Sequence, residues 1–230
     1  MQLNNYTNAR LTAAGLLPRT AKHALYCWRA LGFFRAASIG MIHVPKSAGT
    51  SMAALLFGRS LGHFTLREYT RNLGPALLLS PSLFAVIREP EDRFLSAYRF
   101  FCQGRTCDAG VQLAHPRANL WKQDIDLFLQ EYIEATQDCV RDYIFQTQYR
   151  FVSLAPTCHV GLKLFRLDDM AALEAWLAKR LHKDIIFPYK NRSDRSHSVK
   201  LSVSQRACIR RVYKQDFDLY EHLQNHSYHS

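Results

Sequence analysis

The stretch that decides the fold is IGMIHVPKSAGTSM, residues 39–52. A short apolar run, Met41, Ile42 and Val44, is cut by Pro45. Lys46, Ser47, Ala48, Gly49, Thr50 and Ser51 follow, and then a second apolar run from Met52 to Phe57. The pattern predicts a buried strand, a tight loop, and a helix whose first turn carries the hydroxyls. Such a loop suits an anion. The first amides of a helix lack intrahelical partners and point outward, where the helix dipole adds partial positive charge. Gly49 lets a ligand approach the backbone, Lys46 adds a full charge, and Thr50 and Ser51 add donors. A phosphate or phosphate-like group is the expected ligand. A plain strand-to-helix turn capped by Thr50 or Ser51 would use the same residues. The spacing is not that of the Walker A loop, G-x-x-x-x-G-K-[ST], because Lys46 stands three residues before Gly49.

Outward from this stretch, strands alternate with helices. Leu83 to Ile87 is five apolar residues in a row, as a central parallel strand requires. It ends at Arg88-Glu89-Pro90, and Pro90 fits the first turn of a helix running to Phe101. A third strand is expected within 159–167, and a helix capped by Asp168-Asp169 over Met170 to Leu181. Ser204 is expected to cap a last helix reaching about Leu223, with Ile209, Val212, Tyr213, Phe217 and Tyr220 buried. Helices also fit Ile125 to Ile133 and Val140 to Tyr149, while 66–82 reads as helical or irregular. Residues 102–122 and the basic segment 188–200 read as long loops, which are often functional. The alternation predicts an α/β fold with a mostly parallel central sheet flanked by helices. Residues 39–230 form one expected domain, with 1–38 an arm or helix packed on it. An amphipathic helix over 21–36, with Leu25, Trp28, Leu31 and Phe34 on its apolar side, is either a packing arm or a peripheral membrane contact.

Composition narrows the partners. Thirty Lys and Arg against nineteen Asp and Glu give a formal charge of +11, which favours anionic partners. No nucleic-acid-binding motif is present, so nucleic acid is not expected. The six cysteines show neither CxxC nor zinc spacing, and no metal is expected. Cys102 and Cys107 are spaced for a disulfide, although free thiols suit a reducing compartment. The best hydrophobic window, Ala24 to Val44, is interrupted by Arg29 and Arg35 and does not suit a membrane span. No signal peptide is read, so a cytoplasmic location is expected.

The second motif is VIREPEDRFLSAY, residues 86–98. Arg88 closes its strand at the edge where open α/β sheets bind ligands. Ser96 follows eight residues later, about two helical turns on. A guanidinium and a hydroxyl together can grip a phosphate. The heptapeptide PKSAGTS resembles the 5′-phosphosulfate loop of sulfotransferases that use 3′-phosphoadenosine 5′-phosphosulfate (PAPS). The second motif resembles their 3′-phosphate-binding segment. In this order the pair is most similar to the carbohydrate sulfotransferases of the heparan sulfate 2-O and chondroitin 4-O kinds and their bacterial relatives. Weaker echoes lie at 62–64, 164–170, 190–193 and 212–220.

The resemblance implies a P-loop-like, three-layer fold and transfer of a sulfuryl group from PAPS to a hydroxyl acceptor, on a glycan or glycan precursor. It implies that Lys46, Ser47, Ala48, Gly49, Thr50 and Ser51 hold the 5′-phosphosulfate, with Lys46 at the oxygen that leaves. Arg88 and Ser96 would hold the 3′-phosphate, and Asn191, Arg192 and Ser193 would close over the nucleotide. The chain is short for the family and shows no anchor, which suggests a bacterial-type cytoplasmic enzyme.

In-line transfer also needs a proton acceptor. Of ten histidines, His63 in Gly62-His63-Phe64 is the expected base by the same resemblance, and an ordinary imidazole can accept a proton near neutrality. Glu89 and Glu91 are fallback bases. His43 is expected to pack in the core, and His197 could meet an acidic acceptor. Two other classes remain open: a Mg²⁺-dependent kinase with a variant phosphate loop, which would need a carboxylate at a strand end, and a non-catalytic binder of nucleotides or acidic polymers.

Overall fold

The computed structural model describes residues 18–74, 77, 82–103, 115–154, 162–187 and 200–225. Three strands, β1 (Gly40–Ile42), β2 (Leu83–Ile87) and β3 (Leu162–Arg166), form an all-parallel sheet in that order. Gly40 pairs with Leu83, and Ile87 pairs with Arg166. Every residue of β1 and β2 is buried, as expected where both faces of a sheet are covered. The chain has the α/β architecture its alternating pattern predicts.

Side-chain alternation along the strands builds the layers. Ile42, Leu83, Ala85 and Ile87 turn to one face, where they meet α1 (Arg19–Ala36), α3 (Leu66–Leu73), α7 (Gln148–Val152) and α10 (Lys214–Asn225). Met41, Phe84, Val86 and Phe165 turn to the other face, against α2 (Gly49–Phe57) and α8 (Met170–Leu181). A second, aromatic core joins α4 (Pro90–Cys102) to α5 (Ala118–Gln123), α6 (Ile125–Phe128) with its wider turn Leu129–Glu134, and α9 (Val203–Val212). Among the described residues no helix is long and apolar enough to cross a membrane.

Several local readings need correction. In α1 the buried stripe is Cys27, Ala30, Leu31 and Phe34, while Leu25 and Trp28 are exposed. Positions 27, 30, 31 and 34 have the i, i+3, i+4, i+7 spacing, and small Cys27 and Ala30 let the helix lie close. The single helix expected over Val140 to Tyr149 is a 3₁₀ turn (Tyr143–Phe145) followed by the short α7. Asp142 accepts from the Ile144 amide and Thr147 from the Arg150 amide, so each side chain caps a new start rather than extending an old helix. Ala118–Gln123 is helical rather than loop. The last helix is two, and its cap is Ser202, not Ser204. Ser202 and Gln205 form a reciprocal capping box, and the break falls at Tyr213, whose hydroxyl donates to the Phe145 carbonyl at 2.8 Å. Cys27, Cys102, Cys139 and Cys208 carry free thiols; Cys107 lies outside the described residues.

Candidate active site

The carboxyl ends of β1 and β2 present the two motifs side by side. From β1 the chain passes through His43 to Ala48 before entering α2. Lys46 and Ala48 both take left-handed backbone conformations, with φ of 66° and 60°, which curls the loop. Neither hydroxyl of the first turn caps the helix. The N-cap is Ala48, which has no side-chain hydrogen bond to offer. The amides of Gly49, Thr50 and Ser51 therefore head the helix without a side-chain cap. Thr50 is exposed and Ser51 half-buried, both inside the first turn. A cradle of this form fits a phosphate-sized anion.

Gly49 has a second reason to be glycine. A Cβ there would sit 2.0 Å from Cδ2 of His43, and His43 is only 3% exposed. The imidazole thus packs directly under the loop. Its Nδ1 has no hydrogen-bond partner among the described residues. Burial, reinforced by the charge of His63 and opposed by the Gly62 backbone, holds its pKa well below the ordinary value.

Arg88, at the end of β2, donates from Nη1 to the Lys46 carbonyl at 3.3 Å. Its pKa is lowered chiefly by burial and further by the charges of Arg99 and Arg93, against the pull of Asp92 and Glu89. Ser96 is half-buried in α4. One turn on, Lys46 Nζ stands 4.0 Å from the centre of the Phe100 ring, a cation–π distance. The structure thus brings Lys46, Arg88 and the Ser96 face of α4 to one place. Asn191, Arg192 and Ser193 lie outside the described residues, as does His197.

What holds the two motifs together is a set of buried polar groups that the motif reading gave no role. Gln148, fully buried, accepts at Oε1 from Ser47 Oγ (3.2 Å) and from the Arg88 amide (2.9 Å), and donates from Nε2 to the Arg88 carbonyl at 2.8 Å. The Ser47 hydroxyl is therefore engaged inside the protein. Arg93, 1% exposed, donates from Nε to the Pro45 carbonyl at 3.1 Å and from Nη2 to the carbonyls of Ile144 (3.1 Å) and Gln146 (2.7 Å). Asp216 accepts from the amides of Gln148 (2.9 Å) and Tyr149 (2.8 Å). Its carboxyl is raised to about 6 by burial, against the opposing pull of Arg93 and those two amides. A signal existed for the last of these: Asp216 falls on the apolar stripe of its helix, three residues after Tyr213 and four before Tyr220, where an unpaired charge would be costly.

His63 lies in the irregular segment before α3. Its Nδ1 is 3.3 Å from the His43 carbonyl, and its ring is 4.0 Å from that of His43 and 4.7 Å from that of Tyr143. Donation from Nδ1 to that carbonyl fixes the tautomer that leaves Nε2 as acceptor. Its pKa is lowered to about 4, chiefly by burial and also by the Lys46 and Arg93 charges, while the His43 carbonyl opposes the shift. The imidazole is therefore neutral at pH 7. The fallback bases have other work. Glu89 caps α4 by accepting from the Asp92 amide at 2.6 Å, and Glu91 pairs with Arg206 at 3.6 Å. Asp168, two residues beyond β3, accepts from the Tyr220 hydroxyl at 2.9 Å, and Asp169 is the actual cap of α8. Among the described residues no three His, Cys, Asp or Glu side chains gather as a metal-binding group.

Comparison with known families supports the same direction. The profile of the sulfotransferase family matches residues 33–222. Comparisons with curated proteins and with solved structures give no match. The chain belongs to the sulfotransferase family and is a PAPS-dependent enzyme by that membership. The kinase and non-catalytic alternatives give way to it.

The packing of His43 under the loop makes a direct prediction. Gly49→Ala should lower stability by about 1–3 kcal/mol in urea unfolding, the usual cost of overpacking. Placed on His43→Ala, the same substitution should cost much less. Simple additivity of the two losses would mean that the ring is not what makes Gly49 necessary.

Proposed function

We propose that this protein transfers the sulfuryl group of PAPS to a hydroxyl on a carbohydrate, with residues 39–230 acting as one catalytic domain. The observation that carries this reading is the meeting of two cationic cradles at neighbouring strand ends, with a neutral imidazole beside them. The loop Lys46 to Ser51 receives the 5′-phosphosulfate through its amides and the Thr50 and Ser51 hydroxyls. Arg88 and Ser96 receive the 3′-phosphate. Asn191, Arg192 and Ser193 close over the nucleotide in this reading. The bound donor supplies the sulfuryl group: the S–O bond to the acceptor forms as the S–O bond to the 5′-phosphate breaks.

The protein's part is positioning, charge and proton transfer. His63 Nε2 takes the proton of the acceptor hydroxyl. Lys46 meets the charge that grows on the departing phosphate oxygen, and the amides at the head of α2 share it. The surplus of basic residues suits an acidic or phosphate-linked glycan as acceptor, which is why a carbohydrate is preferred.

Two outcomes follow for the base and the cradles. Lys46→Ala and Arg88→Ala should each weaken binding of adenosine 3′,5′-bisphosphate in metal-free calorimetry. His63→Ala should keep that binding and lose turnover of labelled PAPS by about 10²–10⁴-fold. The acceptor is found by screening a panel of glycans and small alcohols in that assay, and retention of full turnover by His63→Ala would exclude it as the base. The pH profile gives an independent check. His63 acts neutral, so activity falls as pH drops through its pKa. In kcat/KM for the donor, which reports the protein before the nucleotide binds, that limb should lie near 4. Bound negative charge favours the imidazolium, so the limb in kcat should lie at higher pH. Coincident limbs would argue against a base beside the donor.

A further inference from the structure

Arg99 stands three residues beyond Ser96 on α4 and next to Phe100. The spacings i, i+3 and i+4 put Ser96, Arg99 and Phe100 on one face of the helix. Lys46 reaches this face from the phosphate loop, over the Phe100 ring. Arg88 reaches it from the end of β2, close enough for the charge of Arg99 to bear on its ionisation. Asp92 and Glu89 pull on Arg88 and answer this charge only in part. Arg99 Nε is shielded from solvent and has no hydrogen-bond partner among the described residues. No ion pair among the described residues includes Arg88 or Arg99. Two guanidinium groups of like charge, one with a shielded donor unmet, are unfavourable alone. An anion between them relieves both.

We propose that Arg99 is a third ligand, beside Arg88 and Ser96, for the 3′-phosphate of the donor nucleotide. This rests on the reading of the site given under the proposed function. A terminal phosphate offers three oxygens and nearly two negative charges. That matches two guanidinium forks and a hydroxyl better than a singly charged carboxylate or sulfate ester of an acceptor would. Arg99 thereby joins Arg88 and Ser96 in distinguishing a 3′-phosphorylated adenosine nucleotide from one with a bare 3′-hydroxyl.

The test compares adenosine 3′,5′-bisphosphate with adenosine 5′-monophosphate by metal-free calorimetry on the full chain. Wild-type protein should prefer the bisphosphate. Arg99→Ala should lose roughly 10- to 100-fold on the bisphosphate and less than about twofold on the monophosphate, so that the preference narrows while Arg88 and Ser96 keep the remainder. Arg99→Lys, which keeps the charge but not the fork, should fall between. Thermal unfolding checks each variant, and Arg99→Gln replaces the alanine variant if that one does not fold. Equal losses on both nucleotides, or an unchanged preference, would overturn the assignment while leaving the donor site intact. A wild-type protein with no preference for the bisphosphate would overturn the underlying site reading as well.

Discussion

One buried side-chain amide ties the ends of β1 and β2 together. Gln148 bonds to the loop between β1 and α2 through Ser47 and to both the amide and the carbonyl of Arg88. It thereby extends the sheet's hydrogen bonding past the strand ends, where β1 and β2 no longer pair. Its own backbone is held by Asp216 on α10. Arg93 performs the parallel task from α4, tying the Pro45 carbonyl to the segment around Ile144 and Gln146. A fully buried arginine and a fully buried aspartate are tolerated because each meets hydrogen-bonding partners and each offsets the other's charge. Removing one partner would strand the rest in a dry interior, which is far more costly than the net worth of any single bond. The spacing between the ends of β1 and β2 is therefore set by the core.

Charge is distributed to the same end. Arg93 is satisfied inside the fold by three carbonyls, whereas the Arg88 side chain donates to one carbonyl and Arg99 Nε has no partner among the described residues. His63 is kept neutral by burial and by the charges of Lys46 and Arg93. One arrangement thus prepares both halves of the proposed chemistry. Positive charge waits where an anion is to sit, and it keeps a neighbouring imidazole free to accept a proton. Packing supports this geometry at close range: His43 fills the space under the loop that a side chain at Gly49 would occupy.

Much of this was legible in residues 39–52 and 86–98, because strand, loop and helix follow there from local pattern alone. The three strands and α2 stand where apolar runs put them, and α4 and α8 stand where side-chain caps start them. Legibility failed where a tertiary contact overruled local preference. The segment 140–149 carries helix-compatible residues, yet Arg93 draws off two of its carbonyls. In α1 the size of the apolar residues points to Leu25, Trp28, Leu31 and Phe34 as one side, but close packing buries Cys27 and Ala30 with Leu31 and Phe34 and leaves Leu25 and Trp28 exposed. Gln148 was invisible for a different reason. It is a common polar residue in no motif, and its role arises only when chain positions 47, 88 and 216 converge on it.

The central claim is that a preset core holds two anion cradles at adjacent strand ends, one for each phosphate of the same nucleotide. A crystal structure with adenosine 3′,5′-bisphosphate tests it most directly. The account predicts the 5′-phosphate on the amides heading α2, the 3′-phosphate against Arg88 and Ser96, and the Gln148 bonds to Ser47 and Arg88 unbroken. A nucleotide bound elsewhere, or one that spans the strand ends only after Gln148 has released them, would contradict it.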